Sequence, residues 1–337
     1  MSSALGPGPH TCLVVQPMHA AGLDLLAAAG VELICLEAAT MGSVAAVIGG
    51  CSAVITRNLG LSAAAIEAGH RLQVIGNHGA GVDRVDVSHA TSLGIPVVYT
   101  PGTNAQAVAE HTILLALAVA RRLVRGHQAV TSGRWDVRYE PGAMELRGKT
   151  LGIVGFGAIG RTVAQIASAG FGMRVHVLSP LLDPQEMARL GYTEAASLEQ
   201  LLSQSDVVTL HRPSDPGTPP LINRLTLAHA RRGSILINTA RAALVDDQAL
   251  LAALESGQLA GAGLDVFTHE PLDPAHPLLV RRDVVLSPHV GASTQDALER
   301  MSLSCAQQIL DVLSGRRPPH LANPQAWDRR RMPAPVC

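Results

Sequence analysis

Residues 150–170 read TLGIVGFGAIGRTVAQIASAG: a β-branched run meets three glycines and passes into an Ala-rich stretch with helical spacing. Gly155, Gly157 and Gly160, with Phe156, Ala158 and Ile159 between them, fit G-x-G-x-x-G with a strand before and a helix after. That context reads as a dinucleotide-binding turn. Gly155 permits the tight turn, Gly157 lets backbone approach a pyrophosphate, and Gly160 lets helix pack on strand. Unpaired N–H groups of the first helical turn, around Ala158 and Ile159, face the phosphates. The ribose is usually read by an Asp or Glu roughly 20 residues further on. Here the second strand, RVHVLS (174–179), ends at Ser179. A serine can bond a ribose hydroxyl but lacks the carboxylate that repels a 2′-phosphate, so discrimination against NADP is weakened. The alternative is that Asp183 reaches back across residues 180–182.

Around this turn, short β-branched runs alternate with Ala/Leu-rich stretches. CLVV (12–15), VELICL (31–36), SAVIT (52–56), LQVIG (72–76) and IPVVYT (95–100) precede it. DVVTLH (206–211), SILINTA (234–240), AGAGLDVF (260–267) and VVLSPHV (284–290) follow. The pattern predicts βα units and parallel sheets, six strands of the later set forming one doubly wound nucleotide-binding domain. A long amphipathic helix is expected over Ala107 to Leu123, after Pro101-Gly102 and ending in Arg121-Arg122, and a terminal helix over Gln295 to Leu313. From Gly315 the tail has the composition of a frayed, solvated chain end.

The 337 residues suggest about two domains. With 26 Lys+Arg against 27 Asp+Glu and only 2% aromatics, the chain lacks the basic surface and stacking platforms of a nucleic-acid binder. The five cysteines, Cys12, Cys35, Cys51, Cys305 and Cys337, show no metal-ligand spacing and fit a reducing cytoplasm. No metal is expected. No run approaches the ~20 apolar residues of a membrane span, and Met1 to His10 has no signal-peptide pattern. A cytoplasmic protein is the expectation.

With the turn placed, the chain resembles the D-isomer-specific 2-hydroxyacid dehydrogenase family over about Cys12 to Trp327. The motifs are NHGAGVDRVDV (77–87), NAQAVAEHT (104–112), GFGAIGR (155–161), HRP (211–213), NTARAALVD (238–246), LDVFTHEP (264–271) and SPHVGAST (287–294). The resemblance implies an α/β fold of two doubly wound parallel-sheet domains. An NAD(P)-binding Rossmann domain, 103–292, would be inserted into a flavodoxin-like substrate domain of 1–102 and 293–337. It also implies NAD(H) or NADP(H) as cofactor, a small 2-hydroxy or 2-oxo acid as substrate, and a homodimer held by the long helix and by Trp135 in the segment Ser132 to Gly148.

By the same resemblance Arg241, Glu270 and His289 match the catalytic set. Reduction of an oxo acid needs a hydride, a proton for the developing alkoxide and a cation on the carboxylate. An imidazole titrates near neutrality, so His289 can give or take that proton. Glu270 would hold the ring. Arg241 offers a planar fork suited to a carboxylate with an adjacent oxygen. Gly79, Ala80 and Gly81 match the loop whose N–H groups receive the substrate carboxylate. Val108 is expected near the nicotinamide, Asp265 at its carboxamide or ring side, and Thr239, Ala240, Gly291 and Ala292 along the cofactor. Two departures stand out. Ala242 replaces a usual glycine after Arg241, adding a methyl that can restrict the backbone. Arg212 replaces a small or apolar residue, and its guanidinium can stack on adenine, pair with a 2′-phosphate or point into solvent. Among Arg57, Arg84, Arg134 and Arg138, Arg57 is the first candidate for an anion on the substrate. Nucleotide-sensing corepressors share this fold and form the alternative function.

Overall fold

A computed structural model describes residues 10–180, 182–214 and 217–331. The first nine residues, Leu181 on the path from Ser179 to Asp183, and the last six residues with Cys337 and the end of the basic tail lie outside the described residues. The chain divides into two compact units. One takes the residues up to Asn104 together with those from Ser293 on; the other is Ala105–Ala292.

In the first unit β1 (His10–Val14), β2 (Val31–Cys35), β3 (Ala53–Thr56), β4 (Val74–Asn77) and β5 (Val97–Val98) form a parallel sheet in the order β2-β1-β3-β4-β5. This is the flavodoxin-type order, whose ligands bind beyond the carboxyl ends of the strands. β3 and β4 are buried along their whole length, as strands covered on both faces must be. One face packs Leu13, Val54 and Ile75 with Ile66; the other packs Cys12, Ile55 and Val74 with Cys305 and Ile309 of the helix Gln295–Leu313. That helix lies so close that a Cβ on Gly76 would stand 2.8 Å from the Cys305 Sγ.

The tail departs from the expected frayed end. Leu321 bridges Val98, and Arg331 N–H donates to the Gly94 carbonyl at 2.8 Å. Asn323, 0% exposed, accepts from Val97 N–H at 2.7 Å and donates to Ile95 O and Thr91 Oγ1, each at 3.0 Å. Trp327 is buried with the Arg330 guanidinium 4.3 Å from its ring centre. A polar composition hides this docking because one amide, rather than an apolar stripe, anchors the segment.

In the second unit β6 (Thr150–Val154), β7 (Arg174–Leu178), β8 (Thr193–Glu194), β9 (Val207–Leu210), β10 (Ser234–Asn238), β11 (Leu259–Leu264) and β12 (Val284–Leu286) run parallel in the order β12-β11-β10-β9-β6-β7-β8. The six expected strands are joined by β8, a two-residue edge too short to leave a sequence signal. The order reverses at β6, which pairs with β7 on one side and β9 on the other, so the switch point of the sheet lies at its carboxyl end.

The long helix runs Ala105–Ala120 and stops three residues short of the expected Leu123. Arg122 adopts a left-handed conformation at φ 52°, and a second helix, Leu123–Thr131, starts from it. Eleven of the sixteen residues Ala105–Ala120 are buried, so most of the apolar surface from which a dimer was expected is covered within the chain. Exposed apolar side chains include Leu114 on this helix and, beyond it, Leu123, Val124, Val130, Trp135 and Tyr139. No helix among the described residues is long and apolar enough to cross a membrane.

Candidate active site

The glycine turn sits at the switch point. Gly155 takes φ 96°, where a side chain would be strained, and its Cβ would lie 2.4 Å from the His211 carbonyl. Gly160 faces the turn so closely that a Cβ would stand 2.2 Å from the Gly155 carbonyl. At Gly157, by contrast, nothing lies within 4 Å of a Cβ position. Gly157 caps the helix Ala158–Phe171 without any side-chain bond to its first-turn N–H groups, and both Gly157 and Ala158 are exposed, with Ile159 half-buried behind them. Open backbone at a helix N-terminus fits a pyrophosphate, so these residues suit the dinucleotide the motif implies.

Ser179 directly follows β7, and Arg212 follows β9 by two residues, so they flank the turn from opposite sides. The Leu178 carbonyl accepts the Gly155 N–H at 2.8 Å, and a Cβ on Gly155 would come within 3.1 Å of the Arg212 Cβ. Asp183, the alternative ribose reader, caps the helix Pro184–Leu190 and accepts the Gln185 N–H at 3.0 Å. Its carboxylate is thus engaged locally. His211 is held by Thr209 at 2.9 Å, and burial pushes its pKa down to about 3, so it is neutral.

At the end of β10, Asn238 shapes the next turn. Its Oδ1 accepts from Ala240 N–H at 3.0 Å and its Nδ2 donates to the Arg241 carbonyl at 2.8 Å. Thr239 pairs with Thr112 of the long helix at 2.9 Å. Arg241 is half-buried and Nη1 donates to the Ala240 carbonyl at 2.8 Å. Ala242 opens a short 3₁₀ turn, Ala242–Leu244, at an ordinary negative φ, so the methyl that replaces glycine meets no backbone restriction.

His289 Nδ1 lies 3.0 Å and 3.1 Å from the two oxygens of Glu270, and Glu270 also accepts the Phe267 N–H at 3.2 Å. The ring is 36% exposed. Asp265, expected at the cofactor, is 2% exposed and saturated inside the fold: it accepts from the Ser287 hydroxyl at 2.6 Å, Val290 N–H at 2.9 Å and Gly291 N–H at 2.8 Å. Burial would raise this carboxyl, but bonds from His111, Ser287 and the two N–H groups outweigh it and hold the pKa below the usual range. Val108, buried, and His111 face Gly291, whose Cβ would lie 3.8 Å and 3.6 Å from them. Ala292 is half-buried at the end of the same segment.

In the first unit Gly79, Ala80 and Gly81 follow β4. Asn77 Nδ2 donates to the carbonyls of Gly79 and Gly81, at 3.1 Å and 2.9 Å, which turns those carbonyls inward. Among the described residues the N–H groups of Ala80 and Gly81 meet no acceptor. Arg57, half-buried, donates to the Pro17 carbonyl at 2.5 Å. His78 is buried, neither ring nitrogen has a hydrogen-bond partner among the described residues, and burial with the nearby Arg57 charge pushes its pKa down to about 4. Asn77, His78, His111, Asn238 and Ser287 all stand inside the quoted motifs; Asn77 and Asn238 bond backbone within four residues of themselves, whereas nothing local to His111 or Ser287 betrays a partner 176 residues away.

Residues 113–291 match the family model described as D-isomer specific 2-hydroxyacid dehydrogenase, NAD binding domain. The chain belongs to the D-isomer specific 2-hydroxyacid dehydrogenase family. It is therefore an oxidoreductase of CH–OH donors that uses NAD(H) or NADP(H). It is 39% identical to a glyoxylate reductase of Thermofilum pendens over 78% of each chain. To a D-3-phosphoglycerate dehydrogenase of Rattus norvegicus it is 40% identical over 82% of this chain but 51% of that protein, whose length it spans only by about half. Among solved structures it is similar to an NADPH-dependent glyoxylate/hydroxypyruvate reductase of Sinorhizobium meliloti in complex with NADP and malonate. That likeness has a TM-score of 0.84 at 30% identity and covers 96% of this chain and 99% of that one. The fold of this 2-hydroxyacid dehydrogenase is that of its family, two parallel-sheet α/β domains.

Proposed function

We propose that this dehydrogenase interconverts a small D-2-hydroxy acid and its 2-oxo acid, with His289 as acid/base, Glu270 as the group that orients it and Arg241 on the substrate carboxylate and carbonyl. The observation that carries the reading is the His289–Glu270 pair. Both carboxylate oxygens lie within 3.1 Å of Nδ1, while no described residue bonds Nε2, which is left to exchange a proton with the substrate oxygen. When bound, the nicotinamide supplies or takes the hydride. Ala105–Ala292 would hold the cofactor through Gly155–Gly160, Thr239, Ala240 and Val108. The first unit would act as the substrate domain, its Ala80 and Gly81 N–H groups receiving the carboxylate and Arg57 serving a further anionic group.

Glyoxylate and hydroxypyruvate are the substrates to try first, since relatives of similar length act on them. Ser179 and Arg212 on either side of the turn support use of NADPH at a rate comparable with NADH. Leu123, Val124, Val130, Trp135 and Tyr139 support a homodimer. Free thiols at Cys12, Cys35, Cys51 and Cys305 support a reducing compartment such as the cytoplasm. Exchanging His289 for Ala while following NAD(P)H at 340 nm tests the reading: turnover collapses if the histidine is the acid/base and persists if it is not.

A further inference from the structure

His289 stands at φ 55°, in the left-handed region that a residue with a Cβ rarely adopts. Such a conformation costs on the order of 1–3 kcal/mol and persists only where the surroundings over-determine it. The surroundings here are a hub at Asp265. Its Oδ1 takes the Ser287 hydroxyl and the Val290 N–H, and its Oδ2 takes the Gly291 N–H, so the residues on both sides of His289 are pinned to one buried carboxylate. The Ser287 carbonyl also accepts the His289 N–H at 3.0 Å.

One more link ties this hub to a rigid element. His111 Nε2 lies 2.8 Å from the Ser287 Oγ and 3.4 Å from Asp265 Oδ1. The serine has a single proton, and a 2.6 Å contact gives it to Asp265. Its oxygen must then accept from His111, which fixes the Nε2–H tautomer of that ring. His111 sits midway along Ala105–Ala120, a helix packed on the sheet by its buried face, so the chain His111, Ser287, Asp265 transfers the stiffness of a helix to a loop. We infer that His111 and Ser287 are positioning residues, which hold the 287–291 turn so that the His289 ring stays in register with Glu270. This rests on the reading of His289 as acid/base. A displacement near 1 Å in such a site is worth about a hundredfold in rate.

The test compares His111→Leu, His111→Gln and Ser287→Ala with His289→Ala in the full-length protein. Three quantities are read: kcat and KM for glyoxylate and hydroxypyruvate, cofactor Kd by NAD(P)H fluorescence, and the titration of the His289 ring by NMR. The ring faces Glu270, with Asp265 and His111 behind the turn, and His111 is assigned separately through its own variants. His111→Leu is expected to lower kcat at least tenfold, to leave cofactor Kd within twofold and to move the His289 titration. His111→Gln, whose amide nitrogen reaches about as far as Nε2, restores most of kcat. Wild-type kcat and an unmoved His289 titration in His111→Leu overturn the inference, as does a glutamine variant no better than leucine. If His289→Ala keeps normal kinetics, the acid/base reading fails instead. The ring titration in the His111 variants still decides whether the turn is held as described.

Discussion

At the scale of single residues the proposed chemistry rests on groups that the fold holds from behind. Glu270 holds His289 through Nδ1, and Asn238 pins the backbone of Arg241. His289→Ala is expected to lower turnover by about two to four decades, the range of general acid catalysis, with cofactor Kd unchanged. Arg241→Lys is expected mainly to raise KM for the oxo acid, because an ammonium cannot reproduce the planar fork. Steady-state kinetics on both variants check these outcomes. At the ribose, Ser179→Asp sets a carboxylate against a 2′-phosphate and is expected to restore a strong preference for NADH. A wild type that already prefers NADH by more than about a hundredfold would show that another group reads the ribose.

At the scale of elements, close approach and buried amides do the work. Gly160→Ala brings a Cβ to 2.2 Å from a backbone oxygen of the turn, so the turn must move, and cofactor Kd by fluorescence titration is expected to weaken at least tenfold. Asn323→Ala removes three bonds that hold the tail and leaves Val97 N–H and Ile95 O buried without that partner. A loss of roughly 2–3 kcal/mol in urea unfolding is expected. The contrast between these residues explains what was legible beforehand. Gly155, Gly157 and Gly160 announce themselves because a backbone approach needs glycine at fixed spacing beside a strand and a helix. Arg241, Glu270 and His289 were placed by likeness to a family, and the structure adds the Glu270–His289 contact. The roles of His111, Ser287 and Asn323 were hidden, because a hydrogen bond to a partner distant in sequence leaves no period or composition to detect. The break at Arg122 was hidden too, since a left-handed arginine interrupts an apolar pattern that continues across it.

At the scale of the whole molecule two consequences follow. The folded pKa values of His78 and His211, about 4 and about 3, lie below the ordinary 6.5. Between those values and 6.5 the unfolded chain binds more protons than the folded one, so the contribution of these rings is fully present above pH 6.5 and is lost as pH falls. Urea unfolding is expected to show several kcal/mol less stability near pH 4 than at pH 7.5, and a flat profile would contradict the neutral buried rings. The exposed apolar side chains from Leu123 to Tyr139 predict a dimer. Light scattering at micromolar concentration is expected to give twice the chain mass, and a monomer would leave that surface unexplained.

On this fold a histidine held by Glu270 is proposed to exchange the proton in the interconversion of 2-hydroxy and 2-oxo acids. That role is tested most directly by following absorbance at 340 nm as the wild-type protein and His289→Ala meet NADH or NADPH with glyoxylate, hydroxypyruvate, pyruvate and phosphohydroxypyruvate. Oxidation of both cofactors by the wild type with at least one of these acids is expected, with its near disappearance in the variant. Oxidation of neither cofactor by the wild type with any of the acids, or equal rates in wild type and variant, would contradict it.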